Sequence, residues 1–255
     1  MESSSTAATV EKALDVLYHL HAAAHPEGVT GIGRSLGLPK STVHRLLAAL
    51  GSRGLVERDA DAKYTPGRAL IALGLGVLER EPVVALSRDI LVEQARALGE
   101  TIFLAAARGG RLIVLSKQEG GGFLRAAPRV GEEIPVHATA TGKLYLAFAP
   151  DEVAAAVDVG RSFTSRTRTG RHRVERESAR VRARGFAENR EEWVEGLVGL
   201  AAPVHHGGML HAAIAVAGPR VRMPLALRDR TVQSLWRAAR QIEDRLAGRR
   251  GAVAR

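Results

Sequence analysis

The sequence has no cysteine, few aromatic residues and no long hydrophobic run. Without cysteine, the 255-residue chain can form neither a disulfide framework nor a thiolate metal site. Met1 to Val10 lacks the apolar core of a signal peptide. The longest apolar run, Ala69 to Leu78, is interrupted by two glycines and is too short to cross a bilayer. We therefore expect a soluble, cytoplasmic protein without a membrane partner.

Signatures of catalysis are missing as well. Ser162, Ser165 and Ser178 do not occur in a nucleophile-elbow pattern, and no paired carboxylates stand at a suggestive spacing from a histidine. The pair His205-His206 precedes Gly207-Gly208 and is more typical of a hairpin tip than of a metal site, because no carboxylate lies at ligand spacing. The sequence predicts no enzyme activity, no cofactor and no bound metal.

Positive charge is in excess. Lys and Arg total 37 against 27 Asp and Glu, a net charge of +10, which favours a polyanionic partner without identifying it. The length suits a small domain followed by a medium-sized one.

The segment from Gly28 to Thr65 has the order of a winged helix-turn-helix. Thr30 can cap a short helix that ends at Leu36, and Gly37-Leu38-Pro39 then forms the turn. Pro39 is also expected to suit the first turn of the next helix. That helix has an apolar stripe at helical spacing, formed by Val43, Leu46, Leu47 and Leu50. After it, residues 55–58 and 63–65 are predicted to pair as the two strands of the wing.

The polar side of the second helix is the predicted DNA-contacting surface, formed by Lys40, Ser41, Thr42, His44 and Arg45. Lys40 and Ser41 lie at the helix start and are expected to contact phosphates, whereas Arg45 is the best candidate to reach a base edge. An ordinary amphipathic hairpin with a solvated basic side is the alternative, and the predicted wing makes it less favoured.

The predicted boundaries are a DNA-binding domain over residues 1–65, a linker helix over 66–82, an effector domain over 83–248 and a basic tail over 249–255. The linker helix has apolar residues on more than one face, so we expect another subunit to cover it. From Val83 onward, helical segments are interspersed with β-rich runs, and Leu225 to Leu246 is predicted to be one long closing helix.

Two motifs resemble the IclR family of bacterial transcriptional regulators, and the resemblance covers nearly the whole chain. They are Leu38 to Leu47 in the reading helix and His137 to Lys143 in the second domain, followed by Gly185-Phe186-Ala187 and Gly199 to Val204. The resemblance implies an α+β fold in which the winged helix-turn-helix is joined by a linker helix to a GAF-like antiparallel-sheet effector domain. It also implies a dimer or dimer of dimers, which would suit a pseudo-palindromic operator in double-stranded DNA.

Relatives that sense small polar acids tend to line the pocket with an Asp, a Cys and serines. Alignment with them places Asn189, Gly199, Ala215 and Ala217 at those positions. Alanine and glycine give space but no side-chain hydrogen bonds, which favours a bulkier, partly apolar ligand such as an aromatic acid. Its acid group is expected at the start of the helix that follows His137, so the predicted effector-binding set also includes Thr139, Ala140, Thr141 and Gly142. Alternatively, the alanines only pack the sheet.

The leading hypothesis is a DNA-binding transcriptional regulator modulated by a small-molecule effector. Two alternatives remain open: an enzyme carrying an N-terminal DNA-binding head, as in biotin ligases, or a constitutive DNA-binding oligomer without an effector. The sequence leaves undecided the effector, the operator, the regulated genes, repression or activation, and dimer or tetramer.

Overall fold

The computed structural model describes residues 2–122 and 128–248. The chain divides into two compact units, Met1–Arg80 (unit 1) and Glu81–Arg255 (unit 2). The predicted basic tail, 249–255, lies outside the described residues. No helix in the described part of the chain is long and apolar enough to cross a membrane.

Unit 1 contains four helices and one short hairpin. In chain order these are α1 (Glu2–Ala22), α2 (Val29–Leu36), α3 (Lys40–Ser52), β1 (Val56–Arg58), β2 (Tyr64–Pro66) and α4 (Arg68–Leu78). The buried core joins α1, α2, α3 and the hairpin through Val16, Leu20, Ile32, Val43, Leu46, Leu47, Leu50 and Val56. The predicted apolar stripe of the second helix therefore faces the core, and the wing packs beside it.

Two details of the predicted helix-turn-helix are wrong. Thr30 does not cap α2: the helix begins at Val29, and the carbonyl of Gly28 accepts the N–H groups of Gly31 and Ile32. Pro39 lies immediately before α3 rather than in its first turn.

Unit 2 is built on an antiparallel sheet of five strands in the order β4-β3-β7-β6-β5. Its strands are β3 (Thr101–Arg108), β4 (Arg111–Gln118), β5 (Ala187–Arg190), β6 (Leu197–His206) and β7 (Met209–Pro219). Its α-helices are α5 (Pro82–Leu98), α6 (Ala140–Phe148), α7 (Arg171–Arg184) and α8 (Arg228–Leu246), with 3₁₀ segments at Pro150–Ala156 and Leu225–Leu227. The predicted closing helix thus begins at Arg228, after a separate 3₁₀ turn. This arrangement confirms the α+β class.

The two faces of the unit 2 sheet bury different side chains. One face, which we call the filled face, packs large aliphatic residues such as Ile102, Leu104, Ile214 and Val216 with residues of α5 and α8. The other, the open face, carries mostly small residues under α6 and α7: Ala105, Ala107, Ala187, Ala201, Ala213, Ala215 and Ala217. Side chains alternate across a pleated strand, so Ile214 and Ala215 belong to opposite faces although they are neighbours.

Candidate functional site

The first candidate site is the exposed side of α3. Because the apolar stripe faces the core, Lys40, Ser41, His44 and Arg45 point to solvent, and Thr42 is half-buried. The side chains of Lys40, His44 and Arg45 make no hydrogen bond or ion pair to any described residue. All five predicted DNA-contacting residues therefore share one helix, and its cations are available to an external anion.

The turn before α3 fixes this helix closely against α2. Gly37 adopts a left-handed conformation with φ of 65°, and the N–H of Leu38 donates to the carbonyl of Gly33 at 2.9 Å. A Cβ added to Gly33 would lie 2.8 Å from the carbonyl oxygen of Leu38, closer than van der Waals packing allows. Glycine at both positions lets α3 cross α2 at short range.

The start of α3 is also suited to anions. Pro39 precedes it, and no side chain caps the helix. The N–H groups of Lys40, Ser41 and Thr42 in the first turn lack intrahelical acceptors, and the positive end of the helix dipole lies beside the Lys40 ammonium. This combination suits a phosphate group.

The wing adds cations that the sequence analysis did not assign. Arg58 pairs with Tyr64 across the hairpin, and its guanidinium lies 5.9 Å from the centre of the Tyr64 ring. Lys63 is exposed at the turn, where its backbone N–H donates to Asp59 Oδ1 at 2.9 Å. The available signal was the position of Arg58 and Lys63 on either side of the predicted turn of the wing.

The second candidate site is a cavity of about 420 Å³ above the open face of the sheet. Asn189, Gly199 and Ala217 are direct neighbours across β5, β6 and β7, and Ala215 pairs with Phe103 of β3. The cavity is lined by Phe103, Pro128, Glu132, Ile134, Thr139, Ala140, Thr141, Asn189, Trp193, Val194, Glu195, Gly196, Leu197, Gly199, Ala215, Val216, Ala217 and Pro219. Seven of the eight predicted effector residues are thus brought together.

The exception is Gly142, which does not line the cavity. Its N–H donates to Thr139 Oγ1 at 3.1 Å and so completes the N-terminal cap of α6. A Cβ at this position would lie 1.9 Å from the carbonyl oxygen of Val136, which makes glycine necessary. Gly142 therefore supports the site by packing and capping, whereas Thr141 and Ala140, one and two residues earlier in the same turn, line the cavity.

Hydrogen-bond donors gather at one end of the cavity. The N–H groups of Ala140 and Thr141, in the first turn of α6, have no intrahelical acceptor. Asn189 is buried, and its Oδ1 accepts the N–H of Glu192 at 2.9 Å, which leaves Nδ2 without a partner among the described residues. Thr141 adds a hydroxyl group. This set of donors can bind a carboxylate.

A buried ion pair, which the sequence analysis missed, holds these donors in place. Lys143 Nζ lies 2.5 Å from Glu192 Oε1 and donates to the carbonyl of Glu188 at 2.8 Å. Burial lowers the pKa of Lys143, and the attraction of Glu192 opposes this effect. The pair joins α6 to both sides of Asn189. The two partners are 49 residues apart in sequence, so their pairing could not be predicted from spacing. The only sequence signal for this ion pair was the lysine at the end of the His137 to Lys143 motif.

The histidines do not assemble a metal site in the described part of the chain. His206 and His211 meet edge to face with ring centroids 5.8 Å apart, beside the turn at Gly207 and Gly208. His137 is buried and contacts the carbonyl of Arg161 through Nε2 at 2.8 Å. No group of three or more potential ligands occurs within 2–122 and 128–248.

Comparison with known proteins covers both units. The family model of the IclR helix-turn-helix domain matches residues 9–60. The family model of the bacterial transcriptional regulator IclR C-terminal domain matches residues 75–244. The probable transcriptional regulator SauR of Cupriavidus necator is 33% identical over 231 residues, which cover 88% of this chain and 91% of that protein.

Two solved structures have a similar fold. IclR of Thermotoga maritima has a TM-score of 0.78 at 26% identity and covers 93% of this chain, with 98% of its own chain matched. An IclR homologue of Microbacterium hydrocarbonoxydans, solved in complex with 4-hydroxybenzoate, has a TM-score of 0.79 at 22% identity, with 94% and 99% coverage.

Proposed function

The chain belongs to the IclR family of bacterial transcriptional regulators, and we propose that α3 reads its operator while the unit 2 cavity binds a partly apolar organic acid. Members of this family are DNA-binding regulators with a C-terminal effector domain, and they are not enzymes. We extend this to the present chain as a cytoplasmic regulator without catalytic activity.

The observation that carries the effector proposal is the composition of the cavity. Donors at the start of α6 and on Asn189 meet one end of a ligand, and Phe103, Trp193 and Leu197 offer apolar contact to the remainder. A small, fully polar acid would find hydrogen-bonding partners only at one end of the 420 Å³ cavity, and its other polar atoms would face apolar side chains. The Microbacterium hydrocarbonoxydans homologue was solved in complex with 4-hydroxybenzoate, which supports an aromatic acid as the ligand class proposed for this chain.

The DNA-reading proposal is tested by two substitutions in α3. Arg45→Ala should cost about 1 to 3 kcal/mol on the preferred site and reduce discrimination between sequences. Lys40→Ala should instead weaken binding to all sequences alike, because a phosphate contact carries no base information. Fluorescence anisotropy with promoter DNA and a scrambled duplex measures both effects, and Arg45→Ala protein with unchanged operator affinity would refute the assignment.

We further propose that α4 forms the contact between two subunits on a pseudo-palindromic operator. None of its residues is buried within the chain, and Ile71, Leu73, Leu75 and Val77 are each more than half exposed. Water does not favour so much apolar surface on one short helix.

Leu73→Asp should therefore dissociate the oligomer and, through lost bivalency, lower operator affinity by at least tenfold. Arg80→Gln, which also lowers the net charge by one unit just beyond the helix, is the control. Sedimentation of Leu73→Asp at the wild-type mass would show that another surface makes the interface.

A further inference from the structure

The unit 2 cavity contains negative charge as well as donors. Its lining includes the two acidic residues Glu132 and Glu195, and no Lys, Arg or His occurs among the described residues that line it. A ligand that carries only a carboxylate would face two like charges in a partly closed site, with no compensating cation among the described lining residues. The lining therefore favours a ligand that carries a further polar group in addition to an acid group and an apolar body.

Glu132 is the better placed of the two carboxylates. It is partly buried in the segment that follows β4, and its main chain is fixed because Val114 N–H donates to its carbonyl at 3.0 Å. Its Oε2 accepts the N–H of Arg129 at 2.8 Å, which keeps the carboxylate in position, and Oε1 has no hydrogen-bond partner within 2–122 and 128–248. The Glu195 side chain is exposed and has no partner among the described residues.

Glu132 and the donor end lie towards different edges of the sheet. Glu132 is bonded to β4, whereas Asn189 belongs to β5, and these are the two outer strands of the order β4-β3-β7-β6-β5. Both residues nevertheless line the same cavity. A single elongated ligand can therefore present an acceptor to Asn189 and α6 and a donor to Glu132.

We infer that the effector is amphoteric: an acid whose apolar or aromatic body carries an amine or another strong hydrogen-bond donor away from the carboxylate. This inference rests on the proposed effector function of the cavity and narrows its ligand class. Glu132 is the specificity-determining residue, because a charge-assisted hydrogen bond to a partly buried carboxylate is stronger than a neutral one. Glu195 adds negative potential at the rim.

Calorimetric titration of the full chain with two matched probes tests the inference. 4-(Aminomethyl)benzoate and 4-methylbenzoate share the ring and the carboxylate and differ in the amine. We expect the amine to bind about tenfold more tightly to the wild type, and this preference to fall below about twofold in Glu132→Gln, which keeps the acceptor for Arg129. Glu195→Gln should reduce it less.

Glu133→Gln is the matched control, since it removes the adjacent carboxylate, which lies outside the cavity lining; the preference should persist there. Equal or tighter binding of 4-methylbenzoate to the wild type, or an unchanged preference in Glu132→Gln, would overturn the inference and leave the acid-binding function standing. Failure of both acids to bind would overturn the proposed effector class and this inference with it.

Discussion

The filled and open faces of the unit 2 sheet are built from the same strands and serve different ends. On the filled face, large aliphatic side chains interlock with α5 and α8 and leave little unoccupied volume. On the open face, alanines and Gly199 hold α6 over the sheet without filling the space between them. Side-chain size at alternate positions of one strand thus decides whether a layer becomes core or cavity.

Because the central strands contribute mostly alanine, the open face has a second source of order beside the packing of the aliphatic residues around it. On the open face this is the polar network of Lys143, Glu192 and Asn189, in which each member has a defined partner. The filled face has its ion pair at the rim, where Asp89 and Arg245 join α5 to α8 in contact with solvent. The comparison therefore predicts that the free energy of unfolding depends strongly on the buried ion pair of the open face. On the filled face it should depend mainly on aliphatic volume.

The largest effect is expected from breaking the buried pair of the open face. Lys143→Met removes the hydrogen-bonded cation of the buried Glu192 carboxylate and leaves only Arg168, whose Nε lies 3.8 Å from Glu192 Oε2. This loss should lower the free energy of unfolding by about 3 to 5 kcal/mol. Urea denaturation measures the loss. The double variant Lys143→Met/Glu192→Met should recover much of it, and a single-variant loss below about 1 kcal/mol would show that the open face does not depend on this pair.

A somewhat smaller change in the free energy of unfolding is expected when side-chain volume is changed on either face. Ile214→Ala on the filled face should cost about 2 to 5 kcal/mol, because it removes a fully buried side chain and leaves a void. Ala217→Leu on the open face should change stability by no more than about 1 kcal/mol, since the added atoms enter the cavity. Ala202→Leu, the same enlargement on the filled face, is the control and should cost more, about 1 to 3 kcal/mol. Equal costs for the two enlargements, measured by urea denaturation, would remove the distinction between the faces.

The smallest effect concerns the exposed pair at the rim. Hydrogen bonds from Arg245 lower the pKa of Asp89 from 3.8 to about 2, against the opposing effect of burial. The pair's contribution is therefore complete above about pH 4 and disappears as the pH falls towards 2. Because both partners contact solvent, Asp89→Asn should cost less than about 1 kcal/mol at pH 7. The unfolding free energies of the variant and the wild type should converge only as the pH falls below about 2, the pKa of Asp89 in the folded protein. A larger gap at that pH than at pH 7 would contradict the assignment.

Sequence reasoning succeeded where the pattern is local. Periodicity identified the buried stripe of α3. Alignment with relatives selected Asn189, Gly199, Ala215 and Ala217, which line one cavity, and their role in effector binding stays a prediction. It failed where the partner is distant: Lys143 and Glu192 meet only through the packing of α6 against β5, and Phe103, Glu132 and Trp193 reach the cavity from three separate segments. At Thr30 it failed because the backbone carbonyl of Gly28, rather than a side chain, begins the helix.

The central claim, that the open face is a ligand site, is tested most directly by tryptophan fluorescence. The chain has two tryptophans; Trp193 lines the cavity, and Trp236 lies outside its lining and donates to the carbonyl of Gly185. In Trp236→Phe protein, titration with 4-(aminomethyl)benzoate should therefore give a saturable change in Trp193 emission, and adding Ala217→Leu should abolish this change without unfolding the protein. Identical saturation curves with and without Ala217→Leu would contradict the account.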